Sequence, residues 1–273
     1  MNYLDLNLKN FLLSFFYFVL LILFLYKNKT LLRAYKNFLI NDAVMFILKL
    51  TKKYFILEIL FTLGFSFFIE DINLSFLSFL VLEKSSGIYQ TLFYIFGFFV
   101  TFTFFDYFHH AIQHTKIFWP IHRYHHSAKL LSPFTASRNH PFIVILEPFF
   151  RLFPLFIFAN NYEIVLTILF LNLFYQPLVH SDINSNWGWF GKYVLFSPLH
   201  HRLHHSSLEE HYGKNLGIFP LWDHLFNTYL QPSKDKKINV GVIDKHYDSI
   251  NFFKIFYIDL KESFGKVFNL LIK

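Results

Sequence analysis

The chain has 273 residues, of which 54% are hydrophobic and 16% are charged, and its net charge is +7. Soluble domains contain about 25% charged residues, and here the apolar residues come in blocks long enough to cross a bilayer. The absence of cysteine excludes disulfides, thiolate metal sites and thiol catalysis. The basic residues form no cluster typical of nucleic-acid binding, so we predict contact with anionic lipid headgroups and no nucleic-acid partner.

Several apolar segments are predicted to be helices that span a membrane. The first is too long for a signal-peptide core, so we expect it to be retained. The predicted spans are 8–26, 54–69, 89–108, 141–158 and 162–179. Residues 74–82 are apolar but short, which favours an interfacial or re-entrant segment, and 250–272 resemble an amphipathic helix on the membrane surface. The predicted fold is all-α, a multi-span bundle of about four to five transmembrane helices with a cytoplasmic, histidine-rich helical cap.

The distribution of charge predicts the orientation of these helices. Residues 27–53 contain seven Lys or Arg and one acid, Asp42, which is typical of a cytoplasmic loop. Residues 70–88 are acidic and are predicted to lie outside. The pair 141–158 and 162–179 forms a hairpin that leaves the cytoplasm and returns. The sequence therefore predicts an integral membrane protein with all its histidine clusters on the cytoplasmic face.

Histidines recur at spacings that bring imidazoles together on a helix. His110 and His114 are separated by four residues, and the pattern HxxHH occurs twice. His180 follows the last predicted span. The predicted metal ligands are His110, His114, His122, His125, His126, His180, His201, His204 and His205.

Nine imidazoles exceed the four ligands of one tetrahedral zinc ion and fit two metal ions with open positions. Imidazole binds zinc, copper, iron or nickel, so the spacing alone leaves the metal open. Asp106 lies four residues before His110, and we predict that it accepts the second N–H of that ligand, with helix capping or charge pairing as alternatives. His140 is a further candidate, either as a ligand or for a place behind the ligands, and His211 is a candidate for a place behind them.

The pattern from about Asp106 to Thr228 resembles the fatty acid hydroxylase and sterol desaturase superfamily of membrane di-iron oxidases. The resemblance rests on the two HxxHH boxes, the Asn139-His140-Pro141 turn and the closing segment Trp222-Asp-His-Leu-Phe-Asn-Thr228. The chain departs from the usual pattern at two positions. Ala111, between His110 and His114, stands where arginine is usual, and His211, just before Tyr212-Gly213, stands where asparagine is usual. Neither change removes an expected ligand.

The resemblance implies two iron ions, O2 as co-substrate and a membrane lipid as substrate. No flavin, nicotinamide or haem motif occurs in the sequence, so electrons are expected from a separate reductase, ferredoxin or cytochrome b5-like donor. We expect one integrated unit with three parts. These are membrane helices and a basic loop in 1–88, a fatty acid hydroxylase-like catalytic region in 89–230 and an amphipathic tail in 231–273.

Three functions fit the sequence. The first is a lipid hydroxylase acting on a fatty acyl or sterol-like substrate, and the second is a lipid or sterol desaturase on the same scaffold. The third is a membrane protein that transports or stores metal, which should place its ligands inside membrane helices near the midplane. The predicted ligands cluster at helix ends and in cytoplasmic segments instead, which favours an oxidoreductase.

Overall fold

The computed structural model describes residues 40–46, 87–144, 162–233, 238–248 and 251–272, together with the isolated positions 19, 146, 147, 150 and 154. The predicted segments 54–69 and 74–82, and nearly all of 8–26, lie outside the described residues. Within the described part, the regular structure is helical, with a single isolated bridge between Ser206 and Val240. Residues 40–46 and 141–144 are α-helical. The α-helices with both ends described are α1 (Ile88–Gln113), α2 (Trp119–His126), α3 (Tyr162–Val179), α4 (Gly188–Tyr193), α5 (Pro198–His204), α6 (Pro220–Leu225) and α7 (Phe252–Leu271).

Helix α1 contains the predicted span 89–108 and continues to Gln113, so that His110 lies on the helix itself. Its 26 residues correspond to roughly 39 Å at about 1.5 Å per residue. Among the described residues it is the one helix long and apolar enough to cross a membrane. Tyr89, Phe93 and Phe96 are exposed on it, as expected for a surface that meets lipid. The predicted number of spans stays a prediction.

Two apolar clusters hold the helices together. Tyr94, Phe98 and Phe102 on the inner side of α1 pack with Ile218, and Tyr175 of α3 lies against them. The second cluster joins residues 40–46, α2, the 242–247 segment and α7, through Met45, Tyr124, Val242, Tyr247 and Ile255. Burial of these side chains anchors α1 to α3 in the first cluster and α2 to α7 in the second.

The two helices that carry HxxHH are short, with eight residues in α2 and seven in α5. Each begins with proline in its first turn, where the missing N–H and the fixed φ favour a helix start. In α5 the hydroxyl of Ser197 also accepts the N–H of His200. Isolated helices of this length are unstable in water, so their position depends on contacts with the rest of the fold.

Candidate metal centre

The nine histidines predicted as ligands lie together in two adjacent groups. In each group, one nitrogen from every ring lies within 4.8 Å of the others. The first group contains His110, His114, His122, His126 and His204, and the second contains His125, His180, His201 and His205. No other His, Asp or Glu joins them in a group of three or more within the described residues. The sequence therefore predicted which histidines converge.

Each HxxHH triplet is divided between the two groups. From α2, His122 and His126 join the first group, whereas His125 joins the second. From α5 the division is reversed, because His201 and His205 join the second group and His204 joins the first. Ring stacking between His126 and His205, with centroids 4.3 Å apart, brings the groups side by side. Neither group is formed by one helix alone.

Backbone carbonyls orient four of these rings through Nδ1. His110 Nδ1 lies 2.7 Å from Leu216 O, and His180 Nδ1 lies 2.7 Å from Gln176 O. His204 Nδ1 lies 2.8 Å from Lys214 O, and His125 Nδ1 lies 3.2 Å from Arg138 O. A carbonyl only accepts hydrogen bonds, so each Nδ1 carries the hydrogen, and the neutral ring presents a lone pair at Nε2.

These Nε2 lone pairs face one another with no hydrogen between them. The Nε2 atoms of His125 and His180 are 3.3 Å apart, although both rings carry their hydrogen on Nδ1. His204 Nε2 is buried and has no hydrogen-bond partner among the described residues, and neither has His114 Nε2. A buried polar atom without a partner is costly, and converging lone pairs repel unless a cation lies between them. The donor set therefore fits metal ions.

The separations between nitrogens also fit this interpretation. With metal–nitrogen bonds of about 2.1 Å, two ligand atoms are about 3.0 Å apart at a right angle and about 3.4 Å apart at a tetrahedral angle. The Nε2 atoms of His180 and His201 are 2.9 Å apart, and those of His110 and His122 are 3.1 Å apart. Both distances match the edges of a coordination sphere.

Burial keeps the rings neutral and available as ligands. It lowers the pKa of His125, His126 and His204 well below the ordinary value, and the neighbouring imidazoles lower it further. The same holds for His201 and His205. Metal binding requires unprotonated imidazole, so these groups need not lose a proton at neutral pH before they bind an ion.

Asp106, His140 and His211, which were predicted to lie behind the ligands, are members of neither histidine group. The prediction for Asp106 is corrected, because the carbonyl of Leu216 accepts the His110 N–H. His140 belongs to neither group: its Nε2 lies 3.3 Å from Phe256 O, and its ring packs on Phe256 of α7. His211 also lies outside both groups, with its Nε2 3.6 Å from a Glu210 carboxylate oxygen.

His224 and His246 lie outside both histidine groups and make contacts elsewhere in the fold. His224 Nε2 donates to Lys192 O at 3.0 Å, and its ring stacks on Tyr229. His246 Nε2 lies 3.2 Å from the buried carboxylate of Asp259. Both are half-buried structural side chains outside the histidine groups.

Two buried carboxylates, which were not recognised from the sequence, support the carbonyls that orient the predicted ligands. Asp223 accepts the N–H groups of Leu216 and Gly217, each at 2.8 Å, and so fixes the peptide whose carbonyl orients His110. Asp42 pairs at 2.7 Å with the fully buried guanidinium of Arg138, whose own carbonyl orients His125. Asp223 lies in the motif quoted above, but no spacing rule relates either acid to a ligand.

Three known enzymes are similar in sequence to part of this chain. Alkylglycerol monooxygenase from Homo sapiens is 29% identical over 137 residues, which cover 50% of this chain and 29% of that enzyme. An ornithine lipid hydroxylase from Rhizobium tropici is 27% identical over 142 residues, or 50% of this chain and 41% of that enzyme. Human lathosterol oxidase is 26% identical over 199 residues, or 70% of this chain and 59% of that enzyme.

The chain thus spans less than two thirds of the length of these relatives. No solved structure matches it. The fatty acid hydroxylase family matches residues 95–228, a region that contains both histidine groups. Residues 95–228 of this chain belong to the fatty acid hydroxylase family.

Proposed function

We propose that this protein is a membrane-bound di-iron enzyme that uses O2 and external electrons to hydroxylate a lipid. The observation that carries the proposal is the pair of adjacent histidine groups, with five and four converging nitrogens. The three relatives described above are named for oxidation of an alkylglycerol, an ornithine lipid and lathosterol. A fatty acyl or sterol-like lipid is therefore the proposed substrate class.

The histidines of the first group would hold one iron ion, and those of the second group the other. When bound, such a pair of ions supplies the activation of dioxygen and the oxidation of an unactivated C–H bond. Hydroxylation places one oxygen atom in the lipid and the other in water, so two electrons and two protons must be supplied. The electron donor is proposed to be a separate protein, either a reductase, a ferredoxin or a cytochrome b5-like carrier.

The chain's own residues orient the ligands and exclude water. The carbonyls of Leu216, Arg138 and Lys214 hold three rings in one tautomer, and burial keeps bulk water away from them. His110 lies at the end of α1, whose exposed apolar surface is suited to lipid. A lipid could therefore reach the centre from the side, with its tail still in hydrocarbon.

We place the centre on the cytoplasmic face of the membrane. Asp42 belongs to the basic loop predicted to be cytoplasmic, and its carboxylate pairs with Arg138 next to the histidine groups. This contact supports a common side for the loop and the centre.

A lipid desaturase on the same scaffold is the second candidate. The lathosterol relative is named an oxidase, whereas the other two are named a monooxygenase and a hydroxylase. In a desaturation, both oxygen atoms of O2 leave as water, and the lipid loses two hydrogens. A metal transporter is disfavoured, because the ligands lie at the end of α1 and in short helices.

Metal analysis combined with lipid profiling tests the proposal. Protein purified under anaerobic, iron-sufficient conditions is expected to contain close to two iron ions per chain. Cells that express it under ¹⁸O2 should accumulate a lipid that carries one labelled oxygen, whereas a desaturase gives an unlabelled product lacking two hydrogens. His201→Ala should abolish the product, while His224→Ala, outside both groups, should retain it. A fully occupied protein with one ion or fewer would contradict the binuclear centre.

A further inference from the structure

Helix α7 carries an apolar stripe that no described part of the protein covers. Phe253 is 90% exposed and Leu271 is 80% exposed, and between them Tyr257, Phe264 and Phe268 are each more than 60% exposed. Their spacings of four, seven, four and three residues place them on one side of the helix. Large aromatic side chains rarely form a continuous exposed surface in water, so this stripe is typical of an interaction site.

The opposite side of α7 is fixed to the helix that carries the first HxxHH triplet. Phe256 packs against Tyr124 of α2, with ring centroids 5.2 Å apart. Glu262 accepts a hydrogen bond from Arg123 at 2.7 Å, and Asp259 lies 3.6 Å from the same guanidinium. These contacts determine which side of α7 faces outward.

The charges of α7 are segregated between its two sides. Asp259 is buried, and Glu262 is paired with Arg123 and Lys266, so the acids are directed inward. Lys254 and Lys261 are exposed and make no ion pair with a described residue. At about 100° per residue, both lysines lie along one edge of the apolar stripe. The outward side of α7 is therefore apolar with a cationic border.

We propose that α7 lies in the interface of an anionic lipid bilayer, with its aromatic stripe in the acyl region and Lys254 and Lys261 at the headgroups. A lipid surface fits better than a protein partner, because the lysines flank the apolar stripe on long stems that can extend toward phosphate. The apolar helix α1 also gives the chain a second lipid-facing element. Because Arg123 and Tyr124 lie among the ligands of α2, this contact holds the first triplet at a fixed depth near the bilayer surface.

The absence of cysteine allows single spin labels to be placed in the full chain without other substitutions. Phe253→Cys, Phe264→Cys and Phe268→Cys place a nitroxide on the stripe. Gly265→Cys is the matched control, because this exposed glycine is next to Phe264 in sequence but beyond the lysine edge, with open space at its Cβ. Each labelled protein is reconstituted in vesicles of phosphatidylcholine with and without phosphatidylglycerol.

Collision of the label with O2, which concentrates in hydrocarbon, is compared with collision with a water-soluble nickel chelate. The stripe labels should collide several-fold more with O2 than with nickel, and the Gly265→Cys label should show the reverse. Phosphatidylglycerol should increase the contrast at position 264, which is the ratio of O2 collisions to nickel collisions. The double substitution Lys254→Gln and Lys261→Gln should remove that increase. Nickel-accessible stripe labels would show that the stripe faces water, and labels shielded from both reagents would show that protein covers it. Either result overturns the proposal, as does a contrast that is independent of the anionic lipid. The measurement does not depend on bound metal.

Discussion

Replacing Asp223 by asparagine should weaken metal binding in the first histidine group through the backbone. One carboxylate oxygen of Asp223 accepts hydrogen bonds from Leu216 N–H at 2.8 Å and from the Thr228 hydroxyl at 2.6 Å. The other accepts Gly217 N–H at 2.8 Å. The carbonyl of Leu216 in turn accepts His110 Nδ1–H at 2.7 Å. The carboxylate thus fixes the peptide that fixes the ring.

The size of the effect follows from the number of donors. Asparagine has one acceptor oxygen, so its NH2 group would face Gly217 N–H, and two buried donors would lack an acceptor. Each costs about 1–3 kcal/mol, and we expect the free energy of unfolding to fall by about 2–6 kcal/mol. Loss of a partner that orients a ligand lowers metal affinity about 10- to 100-fold. We expect a loss in this range for the first group and a smaller change for the second.

Zinc titration against a chelating dye, on detergent-solubilised full-length protein, measures the two affinities. His114→Ala identifies the binding step of the first group, and His201→Ala identifies that of the second. Asp42→Asn is the matched variant, because Asp42 supports the Arg138 segment that orients His125. It should affect the second group more. This reasoning would be refuted if both variants lost the same metal affinity at both binding steps. It would also be refuted if folded protein lost no metal affinity.

Three further outcomes are expected. His125→Ala and His204→Ala should each abolish product formation and each lose one ion from a different group, whereas His246→Ala should retain both ions. The pKa of His140 is lowered to about 4 by burial, so its contribution to stability is present above about pH 6.5 and is lost as the pH falls toward 4. The free energy of unfolding of the unsubstituted protein exceeds that of His140→Gln, and this difference, measured by thermal unfolding, should therefore decrease by about 3 kcal/mol over that range. Accessibility labelling at Asn160 and at Ser233 should report opposite sides of the membrane.

Each of these outcomes has a contrary result. Substantial turnover by His204→Ala would contradict its assignment as a ligand, and loss of an ion from His246→Ala would contradict the limits of the two groups. A pH-independent difference for His140→Gln would mean that its ring is accessible to water in the folded protein. Labels at Asn160 and Ser233 on one side would exclude the predicted hairpin.

The local features of the fold were accessible from the sequence. The predicted helix 162–179 has the same bounds as α3, and the segment 250–272 closely matches α7. The convergence of the ligands was also predicted, because a spacing of three or four residues brings side chains together within one turn. These inferences need only helical periodicity and apolar length.

The partners behind the ligands could not be predicted in this way. Asp106 was proposed as the acceptor for His110 because it lies one turn away on the same helix. The actual acceptor, the carbonyl of Leu216, is 106 residues further along the chain. Every residue has a backbone carbonyl, so the residue type does not indicate which carbonyl accepts the hydrogen bond. The ion pair between Asp42 and Arg138 is equally non-local, because its members are 96 positions apart in the sequence.

The division of each triplet explains why HxxHH suits a binuclear centre. Around a helix, residue i+4 is displaced by about 40° from residue i, whereas residue i+3 is displaced by about 60° in the opposite direction. His122 and His126 can therefore face one ion while His125 faces its neighbour, and His201, His205 and His204 repeat this with the ions exchanged. One ion would need only the i and i+4 positions of each helix. Under the proposed function, the added i+3 histidine in both triplets, more than the number of histidines, would place each helix between the two ions.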